Sequence, residues 1–170
     1  EVLAGGKVAL VSSIEEVSLV AGGDVSLINE NALVVKDIQT GKGVVKLQAK
    51  GDLKIQNLSL ADDVAGNVVS LLAKGGGNLS VGAFDAGSAS EVNAESGGSF
   101  VTTKGGLLRA GSLDALVHAG SVELSSELRE LNVFLETSGD VTILEVDDLL
   151  VGKAILAQGN VTFETGGAIE

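Results

Sequence analysis

The sequence contains no cysteine, proline, methionine, tryptophan or tyrosine, and only four phenylalanines and one histidine. The lack of cysteine excludes a disulfide framework and leaves the redox compartment open. Because aromatic residues are so scarce, the apolar 45% of the chain is mostly Val, Leu, Ile and Ala, much of it β-branched and suited to a pleated sheet. A chain of 170 residues with this content can bury a core, and we expect one domain over residues 1–170.

Long apolar runs and basic clusters are also missing. No run approaches the roughly 18 apolar residues of a spanning helix, so we expect no membrane insertion. Eleven Lys and Arg residues are scattered among 23 Asp and Glu, which gives a formal net charge of −12. Phosphate binding needs a clustered basic footprint, so the composition disfavours nucleic acid and anionic membrane surfaces as partners. The acidic excess is expected to keep a large flat surface soluble, with adventitious calcium as a guest.

The sequence does contain a recurring pattern, in which two short alternating apolar segments meet at a glycine followed by a small polar residue. The clearest copy spans residues 133–143 around Gly139-Asp140. Hinge glycines lie 17 to 28 residues apart, a spacing typical of a solenoid whose units stack on their neighbours. The longest step is explained by residues 32–38, interpreted as a third side of their coil. Further copies span residues 17–27, 45–55, 69–81, 116–124 and 154–163, with a weaker one at 92–101.

The apolar residues of each copy alternate with period two, as in Val141-Thr142-Ile143, which predicts strands with one face inward and one outward. Short strands separated by Gly with Asp, Asn or Ser predict an all-β fold, a single-stranded parallel β-helix (β-solenoid) of about 7–8 coils of roughly 20 residues. The predicted core comprises Val17, Leu19, Val45, Leu47, Leu53, Ile55, Leu79, Val81, Val122, Leu124, Val141, Ile143, Val161 and Phe163.

The corners of such a coil favour Gly, and then Asn or Asp, because these residues tolerate the left-handed conformation. Equivalent corner positions form a column, along which we expect hydrogen bonds from Asn78, Ser121 and Asn160. Asp24, Asp52 and Asp140 are expected to face water. Large apolar residues almost vanish from 85 to 99, so we place the loosest coil, or a bulging loop, there.

Neither end of the sequence carries an amphipathic helix or a proline-rich cover of the kind that caps a β-helix. The first residue is Glu1, with no charged-then-apolar leader after it. We therefore interpret the chain as a fragment of a longer repeat protein, with flanking coils of that parent, or copies of the chain stacked end to end, as partners.

The alternation V-x-L-x-A-x-G-[DN]-[VL]-x-[LI], present as VSLVAGGDVSL at 17–27 and VKLQAKGDLKI at 45–55, resembles the repeats of filamentous haemagglutinin-like exoproteins. Those are giant bacterial surface proteins built as long right-handed parallel β-helices. The resemblance covers most of the chain and implies a secreted or surface-displayed shaft that serves adhesion, cell–cell contact or matrix building. Surface carbohydrate or protein receptors are the binding partners that it implies.

Polysaccharide-cleaving enzymes also use β-helices, and their chemistry needs carboxylates that converge in a cleft, often with a basic residue. Adjacent acidic residues do not meet this need, because neighbours on a strand point to opposite faces and a turn exposes both. We expect solvated corners at the three acidic pairs of this chain, which are Glu15-Glu16, Asp62-Asp63 and Asp147-Asp148.

His118, the only histidine, has no Ser, Cys or metal-spaced partner nearby in the sequence and is expected to be a partly buried strand residue, in alternation with Leu116. Arg109 and Arg129 are expected to form ion pairs with nearby carboxylates, with a carbohydrate contact as the alternative.

The glycine clusters at 75–77, 97–98 and 105–106 are expected to be corners, since no Gly-Lys-Ser/Thr of a phosphate loop follows them. The stretches 22–25 and 75–78 only partly match the calcium-binding β-roll motif. Thr102, Thr103, Thr142 and Thr162 are too few for an ice-binding ladder. We therefore predict no catalytic, metal or cofactor-binding residues.

The leading hypothesis is a non-enzymatic structural shaft of an extracellular bacterial surface, adhesin or filament protein. A carbohydrate-active β-helix enzyme is the second hypothesis, and a subunit that assembles into fibres through open ends is the third.

Overall fold

The computed structural model describes residues 1–170 and contains strands but no helix. Accordingly, it offers no helical segment of the length and apolarity needed to cross a membrane. The strands are β1 Val2–Ala4, β2 Val8–Ser12, β3 Glu16–Ala21, β4 Val25–Asn29, β5 Leu33–Thr40, β6 Val44–Ala49, β7 Leu53–Leu60, β8 Val68–Ala73, β9 Leu79–Asp85, β10 Glu91–Ser96, β11 Phe100–Val117, β12 Val122–Ser138, β13 Val141–Glu145, β14 Leu150–Gln158 and β15 Val161–Thr165.

All strand pairs are parallel, and each strand pairs with its equivalents in the coils before and after it, except at the two ends of the solenoid, where β1, β2, β14 and β15 pair on one side only. The odd-numbered strands β1 to β9 stack in one row and the even-numbered strands β2 to β10 in another, and both rows continue through the long strands β11 and β12. The result is a β-solenoid of about 8 turns of ~20 residues, which confirms the predicted fold.

Each full coil has three faces, because the first row of strands bends. In β5, alternate residues are buried until two successive residues, Lys36 and Asp37, both lie away from the core, after which alternation resumes. This bend separates a first face from a second. The first face contains residues 33–35, 53–55, 79–81, 100–102, 122–124, 141–143 and 161–163. The second contains residues 2–4, 19–21, 38–40, 58–60, 84–85, 108–110 and 126–128.

The third face is formed by the other row of strands. It contains residues 8–12, 25–29, 45–49, 69–73, 92–96, 113–117, 131–135 and 151–156. Residues 32–38, interpreted from the sequence as a third side of their coil, form the first face and the start of the second. The copy around Gly23-Asp24 therefore precedes the third face, whereas the copy around Gly51-Asp52 precedes the first. This offset explains the 28-residue step between the two hinges.

The core is one cluster of 40 buried apolar residues that runs along the axis of the solenoid. Twelve of the fourteen predicted core residues are buried. The two exceptions are Val161, which is 42% exposed, and Phe163, which packs against the cluster but is only partly buried. Both lie on β15, which pairs with β13 alone, so their inward side chains are covered from one side only.

The predicted loose coil at residues 85–99 is wrong. Within it, β10 pairs on both sides, and Ala86, Val92 and Ala94 are buried. The small polar residues that suggested a loop are satisfied internally, since the Ser90 hydroxyl donates to the Gly87 carbonyl at 2.8 Å. The chain bulges outward at residues 61–66 instead, where every residue is exposed between β7 and β8.

Candidate functional site

The three acidic pairs are exposed, as expected, and one residue of each pair forms an ion pair or a hydrogen bond with a neighbouring coil. Glu16 forms an ion pair with Lys36 at 2.7 Å. Asp63 accepts hydrogen bonds from the Ala89 amide at 2.9 Å and the Ser88 hydroxyl at 2.8 Å, and these bonds lower the pKa of its carboxyl.

The pair at Asp147-Asp148 lies close to the C-terminal coil. Asp148 accepts a hydrogen bond from the backbone amide of Ala168 at 2.7 Å. The residue therefore ties one coil to the next, as the other corner carboxylates do.

The two arginines behave differently. Arg109 donates from Nε to Glu127 at 3.0 Å and from Nη1 to Asp85 at 3.4 Å, so it links three coils. The hydrogen bond to Glu127 and the charge of Asp85 raise the pKa of Arg109. Its predicted ion pairing is confirmed. Arg129 forms no ion pair, and that prediction is wrong.

His118 lies one residue beyond β11, between carboxylates of the two neighbouring coils. Its Nδ1 is 2.7 Å from Glu136 Oε2 and its Nε2 is 3.0 Å from Glu95 Oε1. The hydrogen bond to Glu136 makes the largest contribution to raising the pKa of the imidazole, and the hydrogen bond to Glu95 makes the next largest. The side chain is 38% exposed. His118 is partly buried, as predicted, but it lies at a corner and not within a strand, and its ring is held between two carboxylates.

A continuous ladder of polar side chains follows the corner before the first face. Each side chain except the last accepts a hydrogen bond from the backbone amide of its successor, for example Asp52 from Asn78 at 2.7 Å and Asp140 from Asn160 at 2.9 Å. We call this set the corner ladder; it comprises Asp52, Asn78, Ser99, Ser121, Asp140 and Asn160.

The predicted column of Asn78, Ser121 and Asn160 is confirmed, and Asp52 and Asp140 are exposed to water as predicted. The same column also contains these two aspartates, which was not predicted. Both accept backbone amides as the chain enters the first face. Asp24 lies at the other corner, where it forms an ion pair with Lys7 at 2.6 Å and accepts the Val44 amide at 3.0 Å. The bond to Lys7 lowers the pKa of Asp24.

Three of the hinge glycines beside the corner ladder, Gly77, Gly139 and Gly159, are required by close backbone approach. A Cβ on Gly139 would collide with the carbonyl oxygen of Gly120 in the coil below. Gly120 itself has φ of +87°, a conformation that favours glycine. The glycine keeps adjacent corners close enough for the polar residue after it to reach the next amide. This is the physical reason for the recurring Gly-[Asp/Asn/Ser] pair.

The predicted corner glycines lie where expected, and none introduces a helix. Gly75 and Gly76 have φ of +64° and +78° between β8 and β9. The pair at 105–106 lies at an irregularity within β11, where the register shifts between Thr102 and Leu107. No group of three or more His, Asp or Glu side chains is arranged to hold a metal ion.

A groove of about 650 Å³ lies on the outer surface of the third face. We call it the third-face groove. Two columns of side chains line it, one apolar and one polar. The apolar column contains Leu116, Phe134 and Ile155, and the polar column contains Ser70, Asn93, Asp114, Asn132 and Lys153. Leu72 also lines the groove, but Glu95 separates it from the apolar column.

Strand register stacks these columns coil upon coil. Leu116 pairs with Phe134, which pairs with Ile155. Phe134 is 41% exposed and Ile155 48% exposed, so a strip of apolar surface faces solvent. This strip was not predicted from the sequence, because apolar residues of the repeat were assigned to the core. The alternation of side chains along the strand could have revealed it, because the middle residue of Val133-Phe134-Leu135 has to point outward when its neighbours point inward.

A second depression, of about 560 Å³, lies near the C-terminal coil and is lined by Arg129, Asp147 and Asp148 among others. Glu127 also lines it, but this side chain is engaged by Arg109. One basic residue and two carboxylates are thus brought to one surface, although one of the carboxylates, Asp148, already accepts a backbone amide.

Glu145 is a buried carboxylate that the sequence analysis did not single out, and it is only 5% exposed. Its Oε2 accepts from the Ser126 hydroxyl at 2.8 Å, and its Oε1 accepts the Leu128 and Val146 amides at 3.0 Å. Glu145 could have been recognised from the sequence, because it continues the alternation of the inward residues Val141 and Ile143. Its hydrogen bonds fix the bend between the first and second faces.

No family model, curated protein or solved structure significantly matches this chain. The resemblance to filamentous haemagglutinin-like repeats therefore rests on the sequence pattern alone, while the solenoid architecture rests on the structure.

Proposed function

We propose that this chain is a non-enzymatic structural shaft, a segment of an extracellular bacterial surface, adhesin or filament protein. The observation that carries the proposal is the continuity of the coil stack. One apolar cluster and one polar corner ladder extend across the coils without interruption. No buried side-chain nitrogen or oxygen lacks a hydrogen-bond partner.

The mechanical argument follows from the direction of the hydrogen bonds. In a parallel solenoid the strands lie across the axis, so the hydrogen bonds between coils run along it. Of the 113 backbone hydrogen bonds, 80 lie within the strand ladders. About eight coils at about 4.8 Å give a rod of about 38 Å. Extending or bending that rod requires many of these bonds to break together, which suits a shaft that sets distance.

The location and partners of this shaft follow from the repeat resemblance. A bacterial surface protein of this kind carries its shaft outside the cell, with flanking coils or further copies continuing it end to end. Surface carbohydrate or protein receptors are the targets that we assign to its exposed faces. The acidic surface, with formal net charge −12, suits an aqueous exterior more than a nucleic-acid partner.

The shaft proposal is tested by pulling the chain from its two ends in an optical trap. We expect stepwise lengthening, with each step of about 70 Å, because one coil of about 20 residues extends by about 3.4 Å per residue. Coil-by-coil resistance along the axis supports the shaft. Smooth lengthening at low force, without steps, would contradict it.

A second candidate, a carbohydrate-active enzyme, is favoured by one observation only, namely the depression that brings Arg129 near Asp147 and Asp148. Incubation with neutral and acidic polysaccharides, followed by a reducing-end assay, tests this candidate. Release of reducing ends that is lost in Asp147→Asn would establish the enzyme and overturn the non-enzymatic assignment. No release from either protein supports the shaft.

A further inference from the structure

We propose that the third-face groove binds a second copy of this chain, so that two solenoids lie side by side and antiparallel. The proposed interface is isologous, with a two-fold axis along the strand direction at the level of Asn132 and Phe134. The inference concerns a lateral surface and does not depend on the shaft proposal or on the ends of the chain.

The first step is the order of charges in the polar column. Asp114 pairs in register with Asn132, and Asn132 with Lys153, so a negative, a neutral and a positive side chain occupy three successive coils. Asp114 and Lys153 are both exposed, and neither forms an ion pair within the chain.

A β-bulge builds this order. Leu131 pairs with Val151, but the next residue, Asn132, pairs with Lys153, so Gly152 is the extra residue. Without the bulge, Gly152 would follow Asn132 in the column and Lys153 would point inward. The bulge therefore places a lysine in line with Asp114 and Asn132.

The second step is symmetry. A two-fold axis along the strand keeps each column facing itself and reverses the order of its coils. Asp114 then faces Lys153 of the second copy, and Lys153 faces Asp114, which gives two opposite-charge pairs. Asn132 meets its own equivalent on the axis, where each amide can both donate and accept a hydrogen bond.

The apolar column obeys the same operation. Leu116 faces Ile155 of the second copy, and Phe134 faces its own equivalent across the axis. Every member of the exposed strip thus meets an apolar partner. Burial of such a strip favours association, and an aromatic pair adds to it.

Another position of the axis satisfies the charges but not the apolar column. The polar column also places Lys46 three coils before Asp114. An axis midway between them would pair these charges, but it would set Glu95 against Leu72 and Gln48 against Leu116. Only the axis at Asn132 matches both columns.

Like charges and small area limit the strength of the pair. Glu130 and Glu136 lie on the same coil as the axis, so each faces its equivalent, although His118 offsets the charge of Glu136. Three facing coils cover about 300 Å² on each partner, well below the roughly 800 Å² of a standard interface. We therefore expect a weak and reversible dimer.

The experiment uses the absence of cysteine from this chain. Asn132→Cys places a thiol on the proposed axis, where it lies against its equivalent in the second copy. Glu123→Cys, exposed on the first face, is the matched control. Each variant is oxidised in a glutathione buffer, and the rate of disulfide-linked dimer formation is divided by the reactivity of its thiol toward a small disulfide reagent.

We expect Asn132→Cys to cross-link about ten times faster than Glu123→Cys. Adding Asp114→Lys should slow the cross-linking of Asn132→Cys about ten-fold, because a lysine then faces Lys153 of the second copy. Adding Lys153→Asp as well should restore the rate to within about three-fold of that of Asn132→Cys alone. Circular dichroism confirms that each variant is folded.

Equal rates for the two cysteine variants would overturn the proposal, and so would failure of the charge exchange to restore cross-linking. Open-ended oligomers that ignore these charges would indicate end-to-end stacking instead, and would likewise overturn the lateral dimer.

Discussion

His118 is the only imidazole in the chain, and both of its ring nitrogens face carboxylates, Glu136 at 2.7 Å and Glu95 at 3.0 Å. A neutral ring can donate to only one of them, whereas the imidazolium donates to both. The folded state therefore favours the protonated form, in line with the raised pKa. Because the side chain is 38% exposed, solvent screens the pair and limits its contribution to about 1 kcal/mol or less.

The first prediction concerns the titration of His118. The proton-NMR signal of its ring Hε1 should titrate with a midpoint above 6.5, and Glu136→Gln should lower that midpoint. A group whose pKa is raised on folding stabilises the protein below its unfolded pKa, and this contribution is lost as pH rises through the folded pKa. The thermal midpoint of the native chain should therefore fall relative to that of His118→Gln between about pH 6 and pH 8. A midpoint at or below 6.5 would contradict this assignment.

The second prediction concerns the buried carboxylate of Glu145. Glu145→Ala removes the acceptor of the Ser126 hydroxyl and the Leu128 amide, so buried donors lose their partner. We expect a loss of about 2–3 kcal/mol in the free energy of unfolding, measured by urea denaturation. Glu145→Gln keeps one acceptor oxygen and should cost less.

Glu123→Ala, an exposed change on the first face, is the control for Glu145→Ala and should alter stability by less than about 0.5 kcal/mol. If Glu145→Ala were as mild as this control, the carboxylate would have no structural role at the bend.

At the scale of the element, the repeated unit is a strand followed by a corner, and the corner is the more demanding part. Many inward positions of the strands accept any apolar side chain of suitable size, as the mixture of Val, Leu, Ile and Phe shows. A corner requires a glycine where two backbones meet and a short polar residue that accepts the next amide.

The third prediction compares two glycines. Gly139→Ala introduces a Cβ against the carbonyl of Gly120, which is backbone and cannot move without shifting a coil. Gly5→Ala meets no atom within 4 Å. We expect Gly139→Ala to destabilise by about 2–4 kcal/mol in chemical denaturation, and Gly5→Ala to change stability by less than about 0.5 kcal/mol. Equal effects would show that close approach does not restrict the corner.

Strand positions could be predicted from the sequence because the period of two is visible in segments such as Val141-Thr142-Ile143. The corner ladder could be predicted only in part. Asp, Asn and Ser after a glycine look alike in the sequence, and which column of hydrogen bonds one of them joins depends on which corner it occupies. Asp24 and Asp52 both follow a hinge glycine, yet they lie at different corners of the coil.

Outward-facing features were the least predictable. The third-face groove depends on register between strands about 20 residues apart, and on the bulge at Gly152, which has no signature in a single copy of the repeat. The small residues at 85–99 wrongly suggested a loose coil or a loop for a related reason, because composition does not reveal that β10 pairs on both sides and is partly buried.

At the scale of the whole molecule, each coil contacts only its neighbours, so stability is close to a sum of coil and interface contributions. Equivalent positions in successive coils are interchangeable if the register and the corner are kept. Leu79 and Phe100 occupy equivalent positions on the first face of successive coils, and Asn78 and Ser99 are successive members of the corner ladder.

The fourth prediction is that the chain tolerates removal of one complete coil. Deleting residues 79–99 joins Asn78 directly to Phe100, so Asn78 takes the place of Ser99 and can accept the amide of Ser121. We expect a folded β-protein by circular dichroism, with a urea m-value lower by roughly one eighth because one of about eight coils is lost. Deleting residues 79–88 instead removes the first and second faces of this coil, so that one third face is followed directly by the next third face. The coil can then not close, and this shorter deletion should prevent folding. A larger defect from the 21-residue deletion than from the 10-residue one would show that the coils are not interchangeable units.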